Sequence, residues 1–227
     1  MNENSSKQLQ IAVIIQNYTR IGGAERYCVE LTELLAQQHK VHVFCQCIGT
    51  SQLKDIQFHI IPKWFDKPRY INNLLFARWV QQETENKFDI IHAHARIPHA
   101  NVQTLHVPCI LSRYTEVSGL KKFLRYLNTM ISPRMLSYLY LEKLQLRTHN
   151  NRQIIAVSEF LARNIVHSYP KIAQNINIAY PGIQINSIPE ARVSNRNKQR
   201  TLLNISEENF TLLFVSNNYK SKGLGVL

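Results

Sequence analysis

The spacing of apolar residues changes repeatedly along the chain. Residues 10–16 (QIAVIIQ) form an aliphatic run of strand length, closed by the turn-prone Asn17. After Gly22 and Gly23 the period lengthens. Ala24, Tyr27, Cys28, Leu31, Leu34 and Leu35 recur at spacings of three and four, one face of a helix that His39 and Lys40 close with positive charge. Residues 41–47 (VHVFCQC) alternate as a second strand, and residues 58–61 before Pro62 make a short third. A helix over residues 72–86 leads into a strand at 88–95 (FDIIHAHA).

The same rhythm continues. Residues 102–107 (VQTLHV) read as a strand stopped by Pro108, followed by helices over 120–131 and 133–150, the second with Pro133 at its start. Residues 153–157 are a strand, Ser158 is the N-cap of a helix running to His167, and residues 176–180 are another strand. Strand and helix in alternation imply an α/β fold: a Rossmann-like parallel sheet with helices on both faces. Pro181 and Gly182 close that unit. The expected organisation is a domain over 1–185 and a polar, Arg-containing linker with a charged helical stretch over 186–209. Residues 210–227 then begin a second domain, with a strand at 211–215 (TLLFV) and a helix opening near Lys222. One strand and half a helix cannot make a domain, so the chain is expected to be truncated after its first one.

Composition narrows the class. Hydrophobic residues are 44% of the 227, with only 7 Gly and 8 Pro, which argues against disordered or fibrous sequence. The longest unbroken apolar stretch, residues 11–15, is far too short to span a bilayer, and no secretion signal is expected. Lys and Arg number 27 against 15 Asp and Glu, a net charge of +12 that favours nucleic acid, nucleotides or an acidic membrane surface, or belongs to a plain basic protein. Cys28, Cys45, Cys47 and Cys109 make no C-x-x-C pair. Buried thiols in reduced cytosol are the default reading, with Cys45 and Cys47 on one face of their strand.

Four places can carry chemistry. The loop at residues 17–27 (NYTRIGGAERY) follows the first strand, where two glycines let backbone approach a ligand and a helix N-terminus offers N–H groups to an anion; a tight turn that binds nothing is the alternative. It is not the G-x-G-x-x-G of a dehydrogenase. His92 and His94 share a strand face, where a hydrogen-bonded core role suits His92 and no third ligand supports a metal; His106, at the carboxyl end of the next strand, is the better functional candidate. Residues 119–147 interleave Lys121, Lys122, Arg125, Arg134, Lys143 and Arg147 with Leu, Phe, Tyr and Met. That pattern fits a helix on an anionic membrane interface, or two ordinary helices with a solvated basic face. Finally, Lys222–Gly223 at a helix start suits a phosphate, although no Walker loop is present.

Taken in order, IGGAERY, FDIIHAHA, TLH at His106, IIAVSEF at Ser158, YPGI at Gly182 and FVSNNYKSKG at Lys222 resemble the family-4 retaining glycosyltransferases, which have the two-domain GT-B fold. The group making the lipopolysaccharide core, glucosyltransferase I in particular, is the most similar. The resemblance implies that Gly22 and Gly23 sit against the donor diphosphate or its sugar and that His106 hydrogen-bonds the donor sugar. It implies that Lys222 neutralises the leaving diphosphate without a metal, cofactor or other ion. It also favours the membrane reading of Lys121, Lys122 and Arg125. The implied partners are a nucleotide sugar, with UDP-glucose the expected donor, a lipopolysaccharide or similar glycolipid acceptor, and an anionic membrane surface, but no nucleic acid. The implied location is the cytoplasmic side of the inner membrane, as a peripheral protein. Two departures stand out: Asn217 occupies the position of the wider family's Arg, and the chain stops before the E-x7-E nucleotide-sugar region. A catalytically inactive fragment that binds membrane or glycolipid is the alternative.

Overall fold

The computed structural model describes residues 7–49, 55–115, 118–148, 152–182, 192–216, 219 and 222–226. At its centre lies β1 (Gln10–Ile14), whose side chains alternate between two cores, as a strand covered on both faces requires. Ile11 and Val13 pack with Cys28 and Val29 of α1 (Gly23–Ala36). Ala12 and Ile14 pack with Phe76, Ala77 and Val80 of α2 (Arg69–Thr84). Ile11, Val13 and Ile14 are almost wholly buried, each contributing about 1.5–3 kcal/mol by the area it removes from water.

On one side of β1 lie β3 (Lys40–Cys45) and β5 (Ile56–Ile60); on the other lie β6 (Ile90–Ala93), β7 (Val102–Leu105), β8 (Gln153–Ala156) and β9 (Ile176–Ile178). The order is β5-β3-β1-β6-β7-β8-β9, and every neighbouring pair is parallel. Ile11 is paired with Val41 on one edge and Ile90 on the other. The chain therefore builds outward from β1, returns, and builds outward again, leaving a switch point between β1 and β6 where such sheets open a crevice at their carboxyl ends. This is the Rossmann-like α/β fold that the periodicity implied.

The second half adds α3 (Ser112–Thr115), α4 (Gly119–Ile131), α5 (Pro133–Gln145) and α6 (Glu159–Ser168), then a 3-10 turn over Pro170–Asn175. Two helix starts are built as their sequences require. Ser132 Oγ accepts from Met135 N ahead of Pro133, and Ser158 Oγ accepts from Leu161 N. Leu161 and Ile165 of α6 then join Leu105, Ile154 and Ala156 in a third core.

Several sequence expectations change. Asn17 does not end the first strand region: Asn17–Thr19 (β2) pairs in parallel with Cys47–Gly49 (β4) as a small separate sheet. The run at 41–47 therefore breaks at Gln46. Cys45 is buried and Cys47 exposed, so the two thiols do not share a buried face. α1 stops at Ala36, and Lys40 opens β3, so His39 and Lys40 lie beyond its last turn. α5 ends at Gln145, short of 150, where the carbonyls of its last turn meet Arg152.

The chain divides into two compact units, Met1–Pro181 and Gly182–Leu227. In the second, α7 (Arg192–Leu202) is the charged helix expected after the linker. Residues 211–215 are not a strand: no strand pairs with them among the described residues, and Leu212, Leu213 and Val215 are exposed. A lone extended segment has nothing to complete its ladder. A 3-10 turn over Leu224–Val226 stands where a helix was expected to open.

Candidate functional site

The switch point holds a cleft of about 230 Å³. Ile15, Gln16 and Asn17 enter it from the end of β1, His94, Ala95 and Arg96 from the end of β6, and Thr104 to Val107 from β7. Ala24 and Glu25 come from the first turn of α1, Asn73 and Phe76 from α2, and Gln145 from α5. Three of the four places that sequence marked as chemical thus fall in the first unit, and two of them reach this one crevice: the loop at 17–27 through Asn17, Ala24 and Glu25, with Gly22 and Gly23 outside its lining, and the histidines through His94 and His106.

His92, His94 and His106 form a connected group. His92, buried on β6, pairs through Nε2 with Thr104 Oγ1 at 2.8 Å, which is the hydrogen-bonded core role expected of it. His94 Nδ1 lies 3.1 Å from His106 Nε2. Tyr27, one turn into α1, sets its ring edge-on to His106 at 5.2 Å and tilted against His94 at 5.9 Å. Burial lowers the pKa of all three: His92 falls to about 4, chiefly from burial and then from His106; His94 is held well below the usual histidine range, by burial and then by His92 and His106. His106 is lowered by burial against an opposing pull from Glu25. All three are therefore neutral imidazoles at pH 7, able to hydrogen-bond but carrying no charge to a ligand. Among the described residues no three His, Cys, Asp or Glu side chains converge as a metal-binding set.

Gly22 and Gly23 occupy the N-cap and first turn of α1, as expected. Around Gly23 there is open space, but a Cβ at Gly22 would fall 2.0 Å from Glu25 Oε2. The carboxylate of Glu25 lies over the helix start, where N–H groups favour an anion. The amide wall nearby is cross-braced: Gln16 Nε2 donates to Asn73 Oδ1 at 2.7 Å, and Asn72 Nδ2 donates to Gln46 Oε1 at 2.9 Å.

The loop after His106 is fixed from below by Glu142 of α5. Its buried carboxylate accepts from Ile110 N at 2.6 Å, Leu111 N at 3.0 Å and Tyr169 OH at 3.0 Å. Charge-assisted bonds of this kind hold backbone firmly. Burial, and then the Glu142 charge, push the Tyr169 hydroxyl pKa up and raise the Cys109 thiol to about 12.

Residues 21–187 match the profile of Glycosyltransferase Family 4. The chain belongs to glycosyltransferase family 4. Its fold is similar to the crystal structure of WaaG, a glycosyltransferase involved in lipopolysaccharide biosynthesis, with a TM-score of 0.77 at 19% identity over 95% of this chain. The chain spans 57% of the length of WaaG. A glycosyltransferase from Rickettsia africae ESF-5 overlaps 89% of this chain and 51% of its own, at 17% identity and a TM-score of 0.49. No curated relative matches at the sequence level.

In this family member the basic helix lies away from the crevice. On α4, Leu120, Phe123, Leu124, Leu127, Met130 and Ile131 fall in one arc at 3.6 residues per turn and are all exposed, Leu120 by 73% and Met130 by 71%. The opposite side docks: Thr129 is buried, Tyr114 OH and Thr129 Oγ1 hydrogen-bond, and Tyr126 stacks on Tyr114 at 4.9 Å. Arg125 donates to the Arg113 carbonyl, so that cation is held by the fold; Lys121 and Lys122 are exposed. Neither ordinary packing nor a purely basic face describes this helix. Its outward face is apolar. No helix among the described residues is long and apolar enough to cross a membrane.

Lys222 lies in a turn of the second unit, with Gly223 at φ +85°, a conformation that suits glycine and keeps the turn tight. Asn217, at the departure from the family pattern, lies outside the described residues. Sequence reasoning passed over Tyr27, Glu25, Gln145 and Glu142. The first two stand inside the IGGAERY motif itself, one helical turn from the glycines. Glu142 gave no signal, because only the tertiary fold brings α5 beneath the loop after β7.

Proposed function

We propose that this chain forms the acceptor-side half of a retaining hexosyltransferase. It transfers glucose from UDP-glucose to a lipopolysaccharide core or similar glycolipid. The observation that carries this is family membership joined to a histidine-lined crevice at the switch point of the sheet. In transfer, the bond from the anomeric carbon to the diphosphate oxygen breaks, with its electron pair leaving on the diphosphate. The acceptor hydroxyl forms the new glycosidic bond to the anomeric carbon, and its proton passes to the departing diphosphate oxygen.

His106 binds a hydroxyl of the donor sugar as a neutral imidazole, and Gly22 and Gly23 let the donor approach the start of α1. Lys222 supplies positive charge to the leaving diphosphate, so that protein cations do what a metal does elsewhere. The helix α4 rests on the anionic inner face of the cytoplasmic membrane. Its apolar arc enters the headgroup region, with Lys121 and Lys122 beside it and Arg125 bracing the helix from behind.

The test is transfer of labelled glucose from UDP-glucose to a lipopolysaccharide-core acceptor, alongside His106→Ala. The expected loss is about 100-fold in turnover with the unfolding curve unmoved. Unchanged turnover would remove His106 from the site. The exposed arc of α4 favours a second reading, a fragment that binds membrane or glycolipid without catalysis. Binding to anionic vesicles with no nucleotide-sugar turnover would select it. Lys121→Glu with Lys122→Glu should weaken vesicle binding at least tenfold, at about 1 kcal/mol per lysine. No change would sink the membrane assignment.

A further inference from the structure

We infer that His94 is a positioning residue that fixes the tautomer of His106, leaving His106 with a proton on Nδ1 for the ligand in the cleft. This rests on the reading of His106 as a sugar-binding group. The rings of His94 and His106 lie within 20° of parallel with centroids 5.4 Å apart, whereas their nitrogens are 3.1 Å apart. The nitrogens are much closer than the ring centres, so the two rings meet edge to edge, pointing one nitrogen at the other. That is a hydrogen bond, and one of the two nitrogens must carry its proton.

Which one is decided by the other side of His94. Its Nε2 is buried and has no partner among the described residues. If His94 carried its proton there, a buried N–H would be orphaned, and orphaned N–H groups are rarer in proteins than under-used acceptors. With the proton on Nδ1, the same atom becomes the donor to His106 Nε2, and only a lone pair goes unused. A charged His94 is disfavoured, because burial and the neighbouring His92 and His106 all oppose it. His106 Nε2 then accepts, and a neutral His106 must hold its own proton on Nδ1. Tyr27 packs against both rings and keeps them in this alignment. The consequence is directional. His106 presents a donor to a ligand oxygen, where the opposite tautomer would present an acceptor.

The experiment is long-range 1H–15N correlation on the full chain with 15N-labelled histidine at pH 7. The nine histidines are sorted by the signal missing from His106→Asn. The expected result is His106 protonated at Nδ1 in the wild type. In His94→Phe the dominant form should move to Nε2–H, and in His94→Gln, whose amide N–H can replace the donor, it should return toward Nδ1–H. A wild-type His106 protonated at Nε2 overturns the proposal without any variant, and so does an unchanged His106 pattern in a folded His94→Phe. Nδ1–H in the wild type without glucose transfer from UDP-glucose leaves this assignment standing and removes the functional reading. Transfer with His106 in the Nε2–H form does the reverse.

Discussion

Arg152 and His94 sit at opposite ends of the same sheet, and they are treated in opposite ways. Arg152 lies before β8, buried, with no carboxylate partner among the described residues; its guanidinium donates to the carbonyls of Pro98, Ala100, Leu144, Gln145 and Arg147. Leu144 and Gln145 are the last residues of α5, whose final carbonyls carry the negative end of the helix dipole. The cation ties the end of α5 to the loop between β6 and β7. At the other end His94 Nε2 stays without a partner among the described residues, and His94 lines the cleft. The contrast lies in the two side chains themselves, since His99 Nδ1 beside the Arg152 cage is also without a partner among the described residues: all three guanidinium nitrogens of Arg152 donate, whereas only one imidazole nitrogen of His94 is used.

The largest effect should come from breaking the braced end. Arg152→Ala removes the guanidinium from five carbonyls, of which, among the described residues, only that of Leu144 keeps a backbone donor in Arg147 N, and the expected loss is roughly 3–5 kcal/mol of unfolding free energy in a denaturant titration. Arg152→Lys should recover only part of it, since one ammonium cannot reach carbonyls spread around a planar fork. A loss under about 1 kcal/mol in Arg152→Ala would mean that the cage is incidental, and the contrast between the two ends would fail.

Acid should act next, through the histidines. Burial lowers the pKa of His92 from 6.5 to about 4, so below pH 6.5 the unfolded chain binds a proton that the folded chain refuses. Stability is therefore fully present above about pH 6.5 and falls as pH drops toward 4, by roughly 3 kcal/mol for this one group. Denaturant titrations at pH 7, 5.5 and 4.5 measure it. His92→Asn should make the curve shallower, with the rest of the slope kept by His94 and His99, which burial also lowers; an equally steep curve in that variant would place the acid sensitivity elsewhere. The sign is the useful part: a histidine stabilised by a carboxylate would strengthen the fold in acid instead.

Glu142 tests whether bracing extends to the cleft. Glu142→Gln keeps the shape of the side chain but turns one acceptor into a donor facing backbone N–H groups. The expected cost is about 2 kcal/mol, with the loop after His106 loosened. Faster amide exchange at Ile110 and Leu111 would report it directly. Protection at wild-type levels there would show that β7 and α3 hold the loop without help.

Much of the braced architecture was legible in the chain, because it follows from period. The aliphatic run at 10–16, the three-and-four spacing after Gly23, and Ser158 ahead of α6 each fix an element by local chemistry. What escaped depends on partners distant in sequence. Cys47 was misplaced because alternation cannot tell one strand from two that join different sheets. The expected strand at 211–215 has the right residues but no strand to pair with among the described residues. Of the cleft, His106 was readable by its position after a strand, whereas Gly22 and Gly23 sit at the start of α1 and do not line it. His94 was weighed as a metal ligand, and its bond to His106 appears only when β6 and β7 lie side by side.

The smallest effect should come from the unfinished end itself. Replacing His94 by Phe removes a buried nitrogen that has no partner and, with it, the bond to His106. The freed His106 Nε2 is half-buried at the cleft, where water can take over. Loss of one ordinary hydrogen bond, about 1 kcal/mol, is offset by relief of the unsatisfied atom and by the added apolar ring. Unfolding free energy should therefore change by less than about 1 kcal/mol, while Arg152→Ala costs several times that. A loss above about 2 kcal/mol would mean that His94 is a brace like Arg152. A near-neutral result with altered ligand binding would mean that this nitrogen is retained for function and contributes nothing to stability.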